Sequence, residues 1–410
     1  MRRIRDPNTT GCDRRQMSGT LGSIHNNVNY ALHLNSEAMI VLQEQASTGS
    51  RVNRTSDDPS TAYRILGLNS QVKMLKNYQD HLSDATGLLE LSSTVIQDMV
   101  SSFRDVKGNL TQITNGIYDE ASRKRAAEGV KHTLEHMVLL ASSEHTGRYL
   151  FGGEDSTSAP YVAQRTDGEI TSVTYQGSHS NRNIEVAPNV ESSAFYVGDD
   201  IFRSDNRGTP VFQGDTGAGA GTGTSSVRGS TWLTVTGTAG NYNLSIDDGA
   251  TTVNTDGTNT NLAVTNSTTG EVLYVDTTKI TGTGFDLVRV PGTYDIFSSL
   301  IGIRDILNND KNLPEAQVRE MLESSLDSLD EINELLVRAE VSIGSRIGFL
   351  DDLNDTVTNV QFNAEDESTR LVEADIAQIA IDLSRREVLY QMSLSVAAKV
   401  LSVSLLDFIR

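Results

Sequence analysis

The sequence predicts a mainly α protein with an inserted all-β domain. Apolar residues recur at helical spacing towards both ends of the chain, whereas residues 191–291 are rich in Thr, Gly, Asn, Asp and Ser and contain short alternating apolar segments. Because the β segment separates two helical regions, we expect the N- and C-terminal helices to pair as a long antiparallel, coiled-coil-like bundle. A β-hairpin and a projecting all-β domain complete the expected architecture.

The first predicted helix covers residues 18–45. Its apolar positions alternate in steps of three and four residues, which is typical of a heptad seam. One polar residue, Asn35, interrupts this seam. The seam consists of Leu21, Ile24, Val28, Ala31, Asn35, Ala38 and Leu42.

The last predicted helix covers residues 365–409 and carries two apolar stripes. The first stripe consists of Val372, Ile376, Ile379, Leu383, Tyr390, Ala397 and Val400. The second consists of Leu389, Met392, Val396, Val403 and Leu406. Two stripes on one helix need more neighbours than a single partner helix supplies. We therefore expect the chain ends to become ordered only when copies of the chain assemble.

Between these ends, the pattern changes from helix to strand and back. A long helix is predicted from residue 60, with a break at Gly116 and Asp119, and a second helix from Glu120. The segments "ITSVTYQG" and "NRNIEVAP", joined by Gly-Ser-His-Ser, predict a hairpin, and "GDTGAGAGTGTSS" predicts a flexible loop. Helical periodicity resumes at Ile296 and continues to the end of the chain.

These patterns predict four segments. Residues 1–16 form a disordered or non-native extension, and residues 17–58 with 366–410 form the terminal coiled-coil segments. Residues 59–190 with 292–365 form a helical bundle with the hairpin, and residues 191–291 form the β domain. The extension contains five Arg residues and the only cysteine, Cys12, so the rest of the chain has no thiol for a disulfide or a metal site.

The net charge of −20 argues against binding to nucleic acid or to an anionic membrane surface. Residues 388–409 contain only two charged side chains, Lys399 and Asp407, but their five Gln and Ser residues oppose membrane insertion. We therefore expect a helix that binds other protein subunits rather than a membrane anchor.

Three possible sites for metal or acid–base chemistry were weighed. His132, Glu135 and His136 match the H-x-x-E-H pattern of some zinc proteases, but side chains on an exposed helix face are the simpler interpretation. The acidic pairs 57–58 and 351–352 lack a glycine-spaced calcium loop and suit helix starts. We expect no catalytic residue, no cofactor, no metal site and no enzymatic activity.

Four motifs resemble a known family. The segment "STGSRVNRTSDDPS" (residues 47–60) is similar to the N-terminal signature of flagellins and flagellin-like hook-associated proteins. Residues 148–161, "RYLFGGEDSTSAPY", and residues 373–409 resemble the L-type hook-associated proteins of the hook–filament junction. Residues 341–353, "VSIGSRIGFLDDL", match a Gly-(small)-Arg element of flagellin-like proteins. The variable β segment is not covered by this resemblance.

The resemblance implies a structural, axial component of the bacterial flagellum. Such a protein is exported unfolded by the flagellar type III pathway and self-assembles as a ring between the hook side and the filament. The implied partners are further copies of the chain, the companion hook-associated junction protein, flagellin, and a cytoplasmic export chaperone on the C-terminal helix. A filament subunit, a surface adhesin and a zinc hydrolase are the alternatives.

The residues expected to carry assembly fall into two sets. The first set, in the connecting segment, is Arg51, Asn53, Arg54, Asp57, Asp58 and Pro59. The second set, expected to form the core of the assembled tube, is Ile24, Val28, Leu42, Ile376, Leu383, Tyr390, Met392, Leu394, Val400, Leu401 and Leu405.

Overall fold

The structure is a computed structural model that describes residues 14–116 and 119–408, with side-chain surroundings for residues 26–399 apart from 117, 118 and 194. Most of the predicted extension, residues 1–13, therefore lies outside the described residues. The chain divides into two compact units, one formed by Met1–Asn77 with Val357–Arg410 and the other by Tyr78–Thr356. The four predicted segments follow other boundaries and stay a prediction.

The described residues form long helices at both ends and between the β elements. The helices are α1 (Arg14–Thr48), α2 (Pro59–Asn115), α3 (Glu120–Ala141), α4 (Gly198–Phe202), α5 (Ile296–Asn308), α6 (Glu315–Val372) and α7 (Ile376–Phe408). The helix α3 begins where it was predicted, because the Asp119 side chain accepts a hydrogen bond from the Ser122 amide. The predicted mainly α fold with an inserted β domain is confirmed.

The C-terminal region contains two breaks that helical periodicity alone does not show. The helix predicted from residue 365 is wrong at its start, because α6 continues to Val372 and α7 begins at Ile376. The Gln378 amide donates to the Asp375 carboxylate at 3.0 Å, which caps α7. The helices α5 and α6 are also separate, since Asn309 ends α5 with a left-handed φ of 54°.

The strands form hairpins and two small sheets. They are β1 (Glu144–His145), β2 (Arg148–Tyr149), β3 (Tyr161–Thr166), β4 (Glu169–Tyr175), β5 (Arg182–Ala187), β6 (Val190–Phe195), β7 (Val211–Gln213), β8 (Gly219–Ala220), β9 (Gly229–Thr238), β10 (Asn241–Ser245), β11 (Val253–Thr255), β12 (Leu262–Thr265), β13 (Val272–Asp276) and β14 (Gly284–Val290).

The predicted hairpin between "ITSVTYQG" and "NRNIEVAP" is wrong in its pairing. In the structure, β3 pairs with β4, and β5 pairs with β6. Each pair is joined by a two-residue turn with positive φ, at Asp167 and Gly168 in the first and at Asn189 in the second. The turn at Asp167 and Gly168 has positive φ at both positions, as in the turns that match the twist of antiparallel strands, and both short turns prevail over the longer Gly-Ser-His-Ser link.

The inserted β domain contains a five-stranded sheet, in the order β11-β10-β9-β14-β7, and a three-stranded sheet, in the order β12-β13-β8. Their inner faces enclose a core that includes Leu233, Leu244, Val264 and Leu273, each with 0% exposure. The predicted flexible loop is partly a strand, because Gly219 and Ala220 pair with β13. Its first turn is held by the buried Asp286 carboxylate, which accepts a hydrogen bond from the Thr216 amide at 3.2 Å.

The helical core of the second unit runs along α2, α3, α5 and α6. The inward positions of α2 recur at steps of seven residues and are almost completely enclosed, as at Leu82, Leu89, Ile96, Phe103 and Leu110. The helix α3 packs closely on α5.

Candidate assembly interface

The two terminal helices of the first unit, α1 and α7, lie side by side and run in opposite directions. Near the end of α1, the Ala374 amide donates to the Gly49 carbonyl at 3.0 Å. Further along the pair, the Arg386 guanidinium donates to the Asn35 side-chain oxygen at 3.1 Å. Residue numbers therefore rise along one helix as they fall along the other, which makes the pair antiparallel.

The contact between α1 and α7 follows the predicted seam. On α1, Val28, Ala31, Asn35, Ala38 and Leu42 are half-buried, while most of the positions between them are exposed. The polar interruption at Asn35 is explained by its hydrogen bond to Arg386. This side of the pair is closed by one partner helix, as a heptad seam requires.

Several large apolar side chains of the pair are open. On α1, Tyr30 is 67% exposed and Ile40 is 60% exposed. On α7, three residues of the second stripe lie outward, with Leu389 at 40%, Met392 at 61% and Val396 at 51% exposure. Contiguous apolar surface of this kind marks an interaction site on a soluble protein.

The predicted tube-core residues therefore divide into three sets. Val28, Leu42, Leu383 and Tyr390 are half-buried between the two helices. Ile376, Met392 and Leu394 are 49%, 61% and 46% exposed. The side chains of Ile24, Val400, Leu401 and Leu405 lie outside the part of the structure that is described. That this set forms a tube core stays a prediction.

The connecting segment between α1 and α2 is joined to the break between α6 and α7. Gly49 ends α1 with a φ of +70°, a conformation in which a side chain would be strained. Ser50 then forms a β-bridge with Glu373. The Arg51 amide donates to the Val372 carbonyl at 2.6 Å, and its guanidinium donates to the Leu371 carbonyl at 3.4 Å.

The turn that follows is organised by Asp57. One oxygen of its carboxylate accepts hydrogen bonds from the Asn53 amide at 3.1 Å and from the Arg54 amide at 2.8 Å. The Arg54 guanidinium reaches back to Glu44 on α1, at 3.3 Å. The turn is thereby linked to the end of the helix that precedes it.

Asp58 and Pro59 begin α2. The Asp58 carboxylate accepts hydrogen bonds from the Thr61 hydroxyl at 2.6 Å and from the Thr61 amide at 3.1 Å. These bonds, with one from Ser60 and the nearby Arg51 guanidinium, lower the pKa of Asp58 to about 2. Pro59 occupies the first helical position, where its missing amide hydrogen is no loss. All six predicted residues of the connecting segment thus lie in one hydrogen-bonded turn or at its edge.

Several residues that complete this region were not predicted. Gln45 donates to the Arg51 carbonyl at 2.8 Å, and Arg64 pairs with Glu367 across α2 and α6. The Asp375 cap has a visible signal, because Asp followed three residues later by Gln before an apolar segment is typical of a helix start. The Arg64–Glu367 pair has no such signal, since it depends on the alignment of two distant helices.

The H-x-x-E-H segment on α3 is arranged differently from a zinc site. Both oxygens of the Glu135 carboxylate bond to the Arg165 guanidinium, and this lowers the pKa of Glu135. Within residues 14–116 and 119–408, no group of three or more His, Cys, Asp or Glu side chains is arranged to hold a metal ion. Of the helices in that part of the chain, none is long and apolar enough to cross a membrane.

Residues 23–156 match the family of the bacterial flagellin N-terminal helical region. This region of the chain is flagellin-like. The matched residues include α2, α3, the connecting segment and the Phe-Gly-Gly turn, so the resemblance predicted from the motifs is confirmed. They contain most of α1 but none of the β domain.

Individual proteins agree with this assignment. Flagellar hook-associated protein 3 of Escherichia coli K12 is 25% identical over 123 residues, which are 30% of this chain and 39% of that protein. The flagellar filament 30.7 kDa core protein of Treponema maltophilum is 22% identical over 142 residues, or 35% of this chain and 48% of that protein. The matches thus span less than half the length of these curated relatives.

Similarity over a greater length is found in the fold. The crystal structure of Xanthomonas campestris FlgL superposes with a TM-score of 0.51 and 20% sequence identity, over 74% of this chain and 99% of that one. At this level of identity, the likeness shows a shared fold. It extends the comparison from the N-terminal region to most of the molecule.

Proposed function

We propose that the protein is a structural, axial component of the bacterial flagellum that assembles as a ring at the hook–filament junction. In this role it connects the hook side to the flagellin filament and has no enzymatic activity. The observation that carries the proposal is the open apolar surface of the α1–α7 pair, next to a flagellin-type N-terminal region.

The exposed side chains of this pair supply a driving force for assembly. Fully burying one large apolar side chain contributes about 1.5–3 kcal/mol. Met392 and Val396 are each more than half exposed on one side of α7, and Leu394, two positions from Met392 and therefore on a different side, is 46% exposed. A helix with apolar residues around its circumference is suited to a position between several neighbours.

The polar connecting segment gives the assembly a second kind of contact. The side chain of Arg51 is 50% exposed and that of Arg54 is 68% exposed. Although both are bonded to their own chain, the guanidinium group of each retains further hydrogen-bond donors. We infer that these donors bind carboxylate or carbonyl groups of adjacent subunits. The bridge to residues 371–373 would hold these side chains at fixed positions.

The partners follow from the place of the protein in the flagellum. We propose that copies of this chain contact one another, that the companion hook-associated junction protein and flagellin flank them, and that an export chaperone covers the C-terminal helix before secretion by the type III pathway. The name of the matching Escherichia coli protein supports a hook-associated role, and that of the Treponema protein supports a filament subunit as the second candidate.

A pair of double variants on α7 tests the proposed role of the exposed stripe. Met392→Asp with Val396→Asp places two carboxylates on this stripe, whereas Gln391→Asp with Ser395→Asp adds the same charges at neighbouring exposed positions. In a strain that lacks the native copy, we expect the first pair to abolish filament attachment and motility, and the second pair to preserve both. Circular dichroism of the purified monomers should be the same. Normal attachment with the first pair would contradict the proposal.

Immunogold labelling distinguishes the two candidate functions. A junction protein is expected as one narrow band at the base of each filament. A filament subunit is expected along the whole filament.

A further inference from the structure

Two adjoining cavities lie in the second unit, between the hairpin strands β3 and β4, α4, α5 and α6. The first has a volume of about 380 Å³ and aromatic walls formed by Tyr161, Tyr175, Phe202 and Phe297. The second has a volume of about 670 Å³. Both are lined by Asp199 and Arg203, so that this ion pair forms the boundary between them. Volumes of this size are typical of small-molecule sites.

The walls of the two cavities carry an excess of negative charge. Together they contain six carboxylates but only two guanidinium groups. The carboxylates belong to Asp199, Asp200, Asp205, Asp295, Glu331 and Glu334, and the guanidinium groups to Arg203 and Arg338. A cavity lined mainly by one sign of charge concentrates ligands of the opposite sign.

The aromatic cavity contains a polar atom without a partner. Tyr161 is only 7% exposed, and its enclosed hydroxyl has no hydrogen-bond partner in the protein. Asp199, Tyr175, Asp295 and Arg203 all act on the pKa of this hydroxyl, which burial raises well above its usual value. All four residues line the same cavity as Tyr161. A buried hydroxyl without a hydrogen-bond partner is unfavourable.

The acidic cavity contains a second such atom. One carboxylate oxygen of Glu331 accepts a hydrogen bond from the Gly292 amide at 3.0 Å. The other, Oε1, is enclosed and has no partner. A carboxylate oxygen only accepts hydrogen bonds, so a donor or a positive charge nearby would stabilise the Glu331 carboxylate.

The other carboxylates differ in how far they are already satisfied. Asp295 caps α5 and accepts from the Phe297 and Ser298 amides, both at 2.8 Å. Asp199 pairs with Arg203 through one oxygen, which also lies 3.8 Å from the imidazole of His179. Its second oxygen therefore retains acceptor capacity towards the cavities.

We propose that the two cavities together bind an alkyl cation, an ammonium or guanidinium group on an aliphatic chain. The charged group donates to the second oxygen of Asp199 and lies near the Glu331 carboxylate, where the surrounding carboxylates offset the loss of its hydration. The aliphatic chain lies against the aromatic walls, whose ring faces also attract a cation. A divalent metal ion fits less well, because the described residues contain no group of three ligands for it.

The same chemistry has two sources, a free polyamine or the basic side chain of a polypeptide. This site is separate from the terminal helices, so the proposal goes beyond the structural role and does not depend on it. Calorimetric titration of the full-length monomer with spermidine, and with the peptide N-acetyl-Gly-Arg-Gly-amide, tests both sources. We expect saturable binding of at least one probe, and the tighter one identifies the source.

Three variants locate the binding. Glu331→Gln keeps the size of the side chain but removes its charge, and Glu323→Gln removes a charge from an exposed position of the same helix outside the cavities. We expect Glu331→Gln to weaken binding about tenfold and Glu323→Gln to change it less than twofold. Tyr161→Phe should change binding less than twofold and should not lower the melting temperature of the free protein, because it keeps the aromatic ring and removes only an enclosed hydroxyl without a partner.

Two results would overturn the proposal. One is the absence of saturable binding of both probes at millimolar concentration. The other is an equal loss of affinity in the Glu331→Gln and Glu323→Gln proteins, which would show attraction to the overall negative charge rather than to this site.

Discussion

The terminal helix pair and the inserted β domain differ in how completely they bury their own apolar residues. In the β domain, Leu244 and Val275 are fully enclosed, although Thr, Gly, Asn and Asp dominate its sequence. On α7, Val388 remains 52% exposed and Met392 61% exposed, although the helix is among the most apolar parts of the chain. A segment can therefore be polar in composition and self-sufficient, or apolar and incomplete. Whether the apolar side chains of a segment become buried depends on whether the fold places a second layer of structure against them.

The largest expected difference between the two regions is in the stability of the monomer. Leu244→Ala leaves a cavity in the core of the β domain and should lower the free energy of unfolding by about 2–5 kcal/mol. Leu394→Ala, at a position 46% exposed on α7, should change it by less than about 0.5 kcal/mol. Urea denaturation followed by circular dichroism measures both. Equal losses would show that the terminal pair is as well packed as the β domain.

Two glycines of the first unit should respond in opposite directions to the same change. Gly49 has a φ of +70°, so Gly49→Ala should destabilise the terminal pair by about 1–2 kcal/mol. Gly67 lies within α2, and nothing within 4 Å would meet its added methyl group. Gly67→Ala should therefore stabilise the helix by about 0.5–1 kcal/mol. Hydrogen exchange of the α1 and α2 amides separates these effects, and the same sign for both would contradict the role of the Gly49 turn.

One lysine from outside the inserted segment tests how far the stability of the β domain depends on its neighbours. The Lys311 ammonium, in the turn before α6, lies 5.3 Å from the centre of the Trp232 ring and 4.7 Å from that of Phe285, and pairs with Asp248 at 2.8 Å. Lys311→Met should reduce stability by about 1 kcal/mol. Because Trp232 is the only tryptophan, its fluorescence should also shift. The exposed Lys279→Met protein should retain the original spectrum and stability.

The smallest effect concerns acid sensitivity in the connecting segment. The pKa of Asp58 is lowered to about 2, from 3.8, because its charged form accepts the Thr61 and Ser60 hydrogen bonds. The contribution of the charged Asp58 carboxylate to the stability of the folded protein is therefore present above pH 4 and disappears as the pH falls towards 2. The difference in stability between the original protein and Asp58→Asn should narrow over this interval. A difference that stays constant from pH 5 to pH 2 would show that the charge of Asp58 has no part in it.

The sequence predicted the helical regions, the interruption at residues 116–119 and the β insertion, because each depends on local periodicity or on turn residues. Pro59 and Asp58 were placed correctly for the same reason. The hairpin pairing was missed because adjacent turn signals compete: the Asp167–Gly168 turn matches strand twist and pairs β4 with β3, which leaves β5 to pair with β6. The predicted first stripe also continued through residues 373–375, where the structure has a turn that interrupts the helical periodicity. For this reason Val372, assigned to the same stripe as Leu383, ends α6 and is not part of α7.

Which apolar residues stay open could not be obtained from the sequence. The stripes on α7 are equally apolar, and only the antiparallel alignment with α1, fixed by Gly49 beside Ala374 and Asn35 beside Arg386, decides which one is covered. The charged cavities depend in the same way on segments that are distant in the chain.

The backbone bridge between residues 49–51 and 372–374 has a mechanical consequence under the proposed flagellar role. A pull or a torque on either end of the polypeptide reaches this bridge before it reaches α2 or α6. Since the amides of Arg51 and Ala374 each bond to the opposite strand, the load is divided between both long helices and acts on two hydrogen bonds at once. Two such parallel attachments withstand force better than either attachment alone, so the polar crossing stabilises the connection between the terminal helices and the two long helices under tension.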